Sequence, residues 1–208
     1  RFGEDVMIVA DKRDVFTRAQ MAIESIPPKI IGVSGNDDEE DIADVIAKHY
    51  NLPLVSDLIQ KVLHRDKKWQ SKTWSFNTML DFHKDLLDEL EVALIVHSGG
   101  VVFDRTPMDS IAPVLLKGAT DKRSQKECDD IEWLTQRVIY LCGFFTHFVQ
   151  VFPKKNHRSF FREMSSNITA GFYHRHHSKI GKVMILIPEV LTRFNDRVDF
   201  AIRVIDLL

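Results

Sequence analysis

The chain has 208 residues, and its 28 Lys and Arg against 30 Asp and Glu give a formal net charge of −2. With 44% hydrophobic and 28% charged residues its composition is that of an ordinary globular domain, which excludes a disordered tail protein, a collagen and a histone-like polycation. Without a basic excess there is no global drive toward nucleic acid through counterion release, so only a local basic patch could support such binding.

In chain order, residues 1–28 read as an N-terminal extension. The run Val6-Met7-Ile8-Val9-Ala10 is strand-like, and a helix is expected over 14–26, stopped by Pro27-Pro28. The chain starts at Arg1 rather than Met, which fits a trimmed chain or a mature one after loss of a targeting segment. From residue 29 onward short apolar runs alternate with helical periodicity, the pattern of a parallel sheet flanked by helices. Lys29-Ile30-Ile31-Gly32-Val33-Ser34 reads as a buried strand entering a glycine turn. Ile42, Val45, Ile46 and His49 then recur at helical spacing.

Further strands are expected over 52–56, 100–103, 147–152 and 183–188. Between the second and third, Phe76, Leu80, His83, Leu86, Leu87, Leu90 and Leu94 mark a long amphipathic helix ending near Gly99-Gly100. Helices are also expected over 131–142, 158–178 and 191–208, while 117–130 reads as a mobile surface loop because it lacks an apolar period. Trp69, Trp74, Phe76 and Trp133 are expected in the core. Cys128 and Cys142 stand fourteen positions apart with no CxxC partner, so they read as reduced, structural thiols. No apolar run approaches the roughly twenty residues that span a bilayer, and a soluble intracellular chain is expected.

The chemistry-bearing residues gather at expected strand ends. Gly32-Val33-Ser34-Gly35 lies between a strand and a helix, where backbone N–H groups can converge on phosphate oxygens. Counting GxxxxGK[ST] from Gly32, however, puts Asp37 at the second glycine, Asp38 at the lysine and Glu39 at the hydroxyl residue. The acids suit a helix N-terminus. Each one within about 4 Å of a phosphate charge opposes binding by about 1 kcal/mol in water and about 4 at an effective dielectric of about 20.

Asp104-Arg105-Thr106-Pro107-Met108-Asp109 follows the third strand, at the edge where open α/β sheets bind ligands. Asp104 can orient a hydroxyl or a metal-bound water, and Arg105 can clamp a phosphate. The alternative is structural, with Arg105 paired to an acid, Thr106 capping the next helix and Pro107 opening it. Asp57 closes the second strand and can serve as a general base. Arg158, Arg162 and Arg175, with His157, His174, His176 and His177, form a basic set of the kind that builds lids, at a spacing unsuited to zinc. Lys61, His64, Arg65, Lys67, Lys68 and Lys72 interleave with Trp69 and Trp74, as either a solvated helix face or a patch for RNA or an acidic protein.

Taken together, the strand–Gly-turn–helix start, the acid after the second strand, Val101-Val102-Phe103-Asp104-Arg105-Thr106-Pro107-Met108-Asp109 and the Arg-bearing helix resemble the P-loop nucleoside and nucleotide kinase superfamily. The branch is similar to ribosylnicotinamide-kinase-type and deoxynucleoside-kinase-type domains, over residues 29–208. The resemblance implies a three-layer α/β fold with a five-stranded parallel sheet in the order 2-3-1-4-5. It also implies Asp57 as base, Asp104 and Arg105 beside the transferred phosphate, Gly32, Ser34 and Gly35 in the phosphate loop, and lid arginines near Arg158 and Arg162. The chain departs from the family at Asp38 and Glu39, and so reads as a catalytically degenerate kinase-like subunit of a larger assembly, mitochondrial, ribosomal or respiratory. That reading requires no cofactor or metal, and takes protein subunits as partners, with RNA at residues 61–72. The alternative is an active kinase of a nucleoside or nucleotide, using ATP and Mg²⁺. A third expectation, an uncharged or cationic ligand, would suit the acidic loop.

Overall fold

The computed structural model describes residues 28–35, 39–70, 73–117, 123–152, 160–187, 191 and 193–207. The expected elements of residues 1–27 lie outside them. Five parallel strands form one sheet: β1 (Ile30–Ser34), β2 (Leu54–Val55), β3 (Val101–Phe103), β4 (His147–Val151) and β5 (Val183–Ile187). Their order is β2-β3-β1-β4-β5, as the resemblance implies. Seven α-helices accompany them among the described residues: α1 (Glu39–Tyr50), α2 (Leu58–Arg65), α3 (Phe76–Val96), α4 (Ile111–Lys117), α5 (Gln125–Cys142), α6 (Phe160–Ile180) and α7 (Phe194–Leu207).

Side chains alternate across a strand, so β1 feeds two cores. Ile30 joins Val101, Phe103 and Phe148 against α2, α3, α4, α5 and α6. Ile31 and Val33 join Val102, Val149, Val151 and Ile185 against α1 and α7. Every strand therefore lies between two apolar layers, which is why the strands read as continuous apolar runs. Register aligns the strand ends: Gly32 faces Phe103 on β3, and Ser34 faces Gln150 on β4. The polar residues after β1, β2 and β3 thus emerge along one edge.

The loop expected over 117–130 is overturned in part. Residues 118–122 lie outside the described residues, but 125–130 form the first turns of α5. A capping box explains this: the Ser124 hydroxyl accepts from the Glu127 N–H at 3.3 Å, and the Glu127 carboxylate accepts from the Ser124 N–H at 2.8 Å. Gln125 adds a bond to Asp129 one turn on, at 2.8 Å. A helix can therefore start without an apolar stripe. Trp69 is buried and meets Trp74 and Phe82, whereas Trp133, expected in the core, is 48% exposed. Cys142 is buried and Cys128 exposed, and both are free thiols. Among the described residues no helix is long and apolar enough to cross a membrane.

Candidate functional site

The glycine turn after β1 is held close to the strands beside it. A Cβ on Gly32 would lie 2.9 Å from Phe145 Cε1 and 2.9 Å from Thr106 Cγ2, and one on Gly35 would lie 2.7 Å from the Val151 carbonyl oxygen. Only glycine lets the backbone pass so near its neighbours. Ser34, between them, is buried, and its hydroxyl donates to Asp109 Oδ1.

The segment after β3 supplies that carboxylate. Asp104 N–H donates to the Val55 carbonyl at 3.3 Å, fixing the start of the segment on β2. Pro107–Ser110 then forms a 3₁₀ turn with Thr106 as cap and Pro107 at its first position, as the sequence suggests. Asp109 Oδ2 accepts from the Thr106 N–H at 2.7 Å and from its hydroxyl at 3.1 Å. One carboxylate thus caps the turn and anchors Ser34. Withdrawal from water pushes the Asp109 carboxyl above its usual range; the nearby Arg105 charge and the bonds from Ser34 and Thr106 pull it back only in part.

Arg105 stands between two ionisable groups, Asp109 and His83. His83, on α3, is 6% exposed, and its Nδ1 has no hydrogen-bond partner. Burial first, and the Arg105 charge second, push its pKa down from 6.5 to about 4, so the ring is neutral at pH 7. The side chains of Arg105, Asp109 and His83 open onto a cavity of about 80 Å³ walled by Leu58, Ile59, Leu86, Leu87, Leu90 and Pro113. Arg105 makes no ion pair with any described residue. Of the two structural partners the sequence offers Arg105, Asp57 forms no ion pair with it, and the acids of the first loop at positions 37 and 38 lie outside the described residues.

Asp57 is exposed, with φ at 63°, and caps α2 without a side-chain bond. Asp is one of the few residues that accepts this left-handed conformation. The fold therefore brings Ser34, Arg105 and Asp109 together and leaves Asp57 at the rim. Of the expected lid residues, Arg158 lies outside the described residues and Arg162 falls in the first turn of α6. His174 and His177 stack at 6.1 Å on the exposed face of α6, and no group of three His, Cys, Asp or Glu side chains suited to a metal occurs among the described residues. Three bases of the stretch after β2 are paired with acids. Lys61 pairs with Glu89 at 2.6 Å, Arg65 with Glu89 at 2.6 Å and Asp85 at 2.9 Å, and Lys68 with Asp66 at 3.6 Å. Lys72 lies outside the described residues.

Sequence reasoning treated His83 as an inward helix position and gave Asp109 no role. The Thr-x-x-Asp spacing of a capping box was the available signal for Asp109. Nothing local marked His83, because its neighbour Arg105 is distant in sequence.

This arrangement of parallel strands and flanking helices recurs in solved structures. The fold is that of the P-loop kinases. A NadR protein solved with NAD and AMP-PNP superposes with a TM-score of 0.60 at 14% identity, covering 93% of this chain and 58% of that one. This chain thus spans little more than half of NadR. A deoxyadenosine kinase from M. mycoides with bound dCTP gives a TM-score of 0.58 at 14% identity, over 86% of this chain and 100% of that one. A thymidylate kinase from Ehrlichia chaffeensis gives 0.54 at 17% identity, over 86% and 98%. No family model matches the sequence. No curated protein does either.

The P-loop kinase fold implies ATP and Mg²⁺, and the fit rests on the sequence count from Gly32, since residues 36–38 lie outside the described residues. Asp38 and Glu39 stand where the loop lysine and the metal-binding hydroxyl belong, and the Ser34 hydroxyl is committed to Asp109. An isosteric change tests the anchoring acid. Because the folded state raises the Asp109 pKa, its contribution to stability is full below the ordinary carboxylate range and is lost as pH rises through the raised value. Asp109→Asn keeps an acceptor for Thr106 and carries no charge. Its urea midpoint is expected to gain on the wild type between pH 4 and pH 7; a constant difference across that window contradicts this assignment.

Proposed function

We propose that this P-loop kinase-type domain does not transfer phosphate and acts as an interaction subunit of a larger protein assembly. The observation that carries the reading is the crevice itself. Among the described residues the hollow beside Arg105 holds about 80 Å³, against roughly 300–1,000 Å³ for pockets that enclose small ligands. Leucines of α3 fill the space beside Arg105, and the acids at positions 37–39 oppose a polyphosphate. No cofactor is needed. The partners are protein subunits of a mitochondrial, respiratory or ribosomal assembly, with RNA at residues 61–72 as a further partner.

A second reading is favoured by the Arg105 guanidinium, which has no ion pair among the described residues, and by the exposed Asp57 carboxylate, which makes no capping bond to α2. In it the chain is an active kinase of a nucleoside or nucleotide that uses ATP and Mg²⁺. Asp57 is then the base, Asp104 and Arg105 stand beside the transferred phosphate, Gly32 and Gly35 cradle it, and Arg158 and Arg162 close over it. NadR and the deoxyadenosine kinase were solved with NAD and AMP-PNP and with dCTP; this chain would hold a related nucleotide.

Calorimetric titration with ATP and Mg²⁺, with Arg105→Ala beside the wild type, separates the two. The interaction subunit gives only heat of dilution up to millimolar ATP. Micromolar binding that weakens in the variant overturns it in favour of the kinase.

A further inference from the structure

Helices α4, α5 and α6 pack on the same side of the sheet and leave a hollow of about 510 Å³ between them. Its apolar lining is Ile111, Leu115, Ile131, Ile168 and Phe172. From Cys128 to Gln136 on α5, and from Ile168 to His176 on α6, the lining follows each helix for about 12 Å, two turns. Two features of these walls go unused by the fold. Gly171 is exposed in the interior of α6, and a Cβ there would meet nothing within 4 Å. Glycine destabilises a helix interior, and packing among the described residues does not call for one here; its effect is to keep the wall low. The second feature is charge. Glu132 on α5 and Arg175 on α6 line the hollow from opposite walls, both exposed, and neither forms an ion pair among the described residues. His176 beside them stacks on Phe172 at 4.6 Å between ring centroids. Burial first, then the Lys179 and Arg175 charges, hold its pKa below the usual value, so at pH 7 the ionised side chains of the lining are Glu132 and Arg175.

We propose, building on the interaction-subunit reading, that this hollow seats an amphipathic helix of a partner protein, with a base along its edge over α5 and an acid along its edge over α6. The walls decide the shape of the occupant. Both are helices whose backbone groups are already bonded, so an extended segment would find no strand edge to pair with, whereas a third helix can set its side chains between theirs. The apolar lining takes the apolar face of that helix. Gly171 lets its backbone come close. Opposite charges on opposite walls fix the polarity of its two edges, since a like charge over either Glu132 or Arg175 is repelled.

The test uses the full chain and three labelled, helix-stabilised peptides of about fifteen residues with leucines on one face. One carries Lys along one flank and Glu along the other, the second Lys on both flanks, the third Glu on both. Fluorescence anisotropy is expected to show micromolar binding of the mixed peptide to the wild type, about tenfold tighter than either of the others. Glu132→Lys then moves the preference to the Glu-flanked peptide, and Arg175→Glu moves it to the Lys-flanked one. Gly171→Leu, which puts a side chain into the hollow, weakens the mixed peptide by about tenfold or more with the melting temperature kept. Ile95→Asp, at an exposed apolar residue outside the hollow, leaves it unchanged. The two charge variants decide the matter should Gly171→Leu fold poorly. Equal affinity for the three peptides, no binding up to millimolar concentration, or wild-type affinity in a folded Gly171→Leu overturns the assignment. So does a wild-type dimer in sedimentation that Gly171→Leu dissociates, since a second copy would then be the occupant. ATP titration of the same samples tests the interaction-subunit reading separately, because this hollow and the one beside Arg105 share no lining residue.

Discussion

Lowering the pH from 6.5 to 4 is expected to strip about 3 kcal/mol of stability from the wild type through His83 alone, and to strip none through that position in His83→Leu. The folded state depresses the pKa of this ring from 6.5 to about 4. A group whose folded pKa is lowered contributes stability above its unfolded pKa and loses it as pH falls through the folded value. The window is therefore pH 6.5 down to about 4, and the magnitude follows from about 1.4 kcal/mol per unit. The physical source is a neutral imidazole buried beside Phe82 and leucines of α3, where burial disfavours the added proton and the nearby Arg105 guanidinium repels it. Leu fits the same wall and leaves no unpartnered Nδ1 behind. At pH 7 the variant should be at least as stable as wild type. Denaturant midpoints measured at half-unit intervals decide the matter: parallel wild-type and variant profiles would show that His83 does not titrate as assigned.

Phe145→Ala should lower stability by about 3–5 kcal/mol, the range for a large aromatic deleted from a packed core. Phe145 is fully buried between Phe103, at 5.4 Å between ring centroids, and Phe148, stacked at 5.1 Å. Its ring edge also lies where a side chain on residue 32 would be. Removing it opens a void directly under the glycine turn, so the loss combines burial, ring contacts and the support of Gly32. Urea denaturation of the variant gives the number. A loss under about 1 kcal/mol would mean that the layer between β1, β3 and β4 collapses to fill the gap, and that Phe145 is not what holds the turn in place.

The aromatic beneath Gly32 illustrates how far local pattern reaches. Ile31, Val33, Val102 and Val149 read as buried strands because β-branched and aliphatic runs of this length between turn signals have few other uses. The long helix α3 was legible from Leu80 to Leu94 for the same reason. Asp104, Arg105, Thr106 and Pro107 could be placed at a strand end, and Thr106 as a cap, from spacing alone. The start of α5 was missed because apolar period was given more weight than Ser124 and Glu127, whose reciprocal bonds begin a helix on a wholly polar stretch. Trp133 was misassigned because an aromatic residue in a helix carries no mark of which face it occupies.

The sequence by itself determined the class of fold, a parallel sheet between helices, since burial on both faces of a strand leaves a one-dimensional signature of apolar runs. Its spacing also puts Asp38 and Glu39, counted from Gly32, at the lysine and hydroxyl positions of a phosphate-loop pattern, and that remains an expectation. What only the tertiary structure decided was how those pieces meet. Ser34 and Asp109 are 75 positions apart and share a hydrogen bond, while His83 and Arg105 come close enough for one charge to depress the other's pKa. The basic residues at 61, 65 and 68 find acids, at positions 85 and 89 of α3 and at Asp66. Each of these depends on distance and dielectric in three dimensions, and neither quantity is written in the order of residues along a chain.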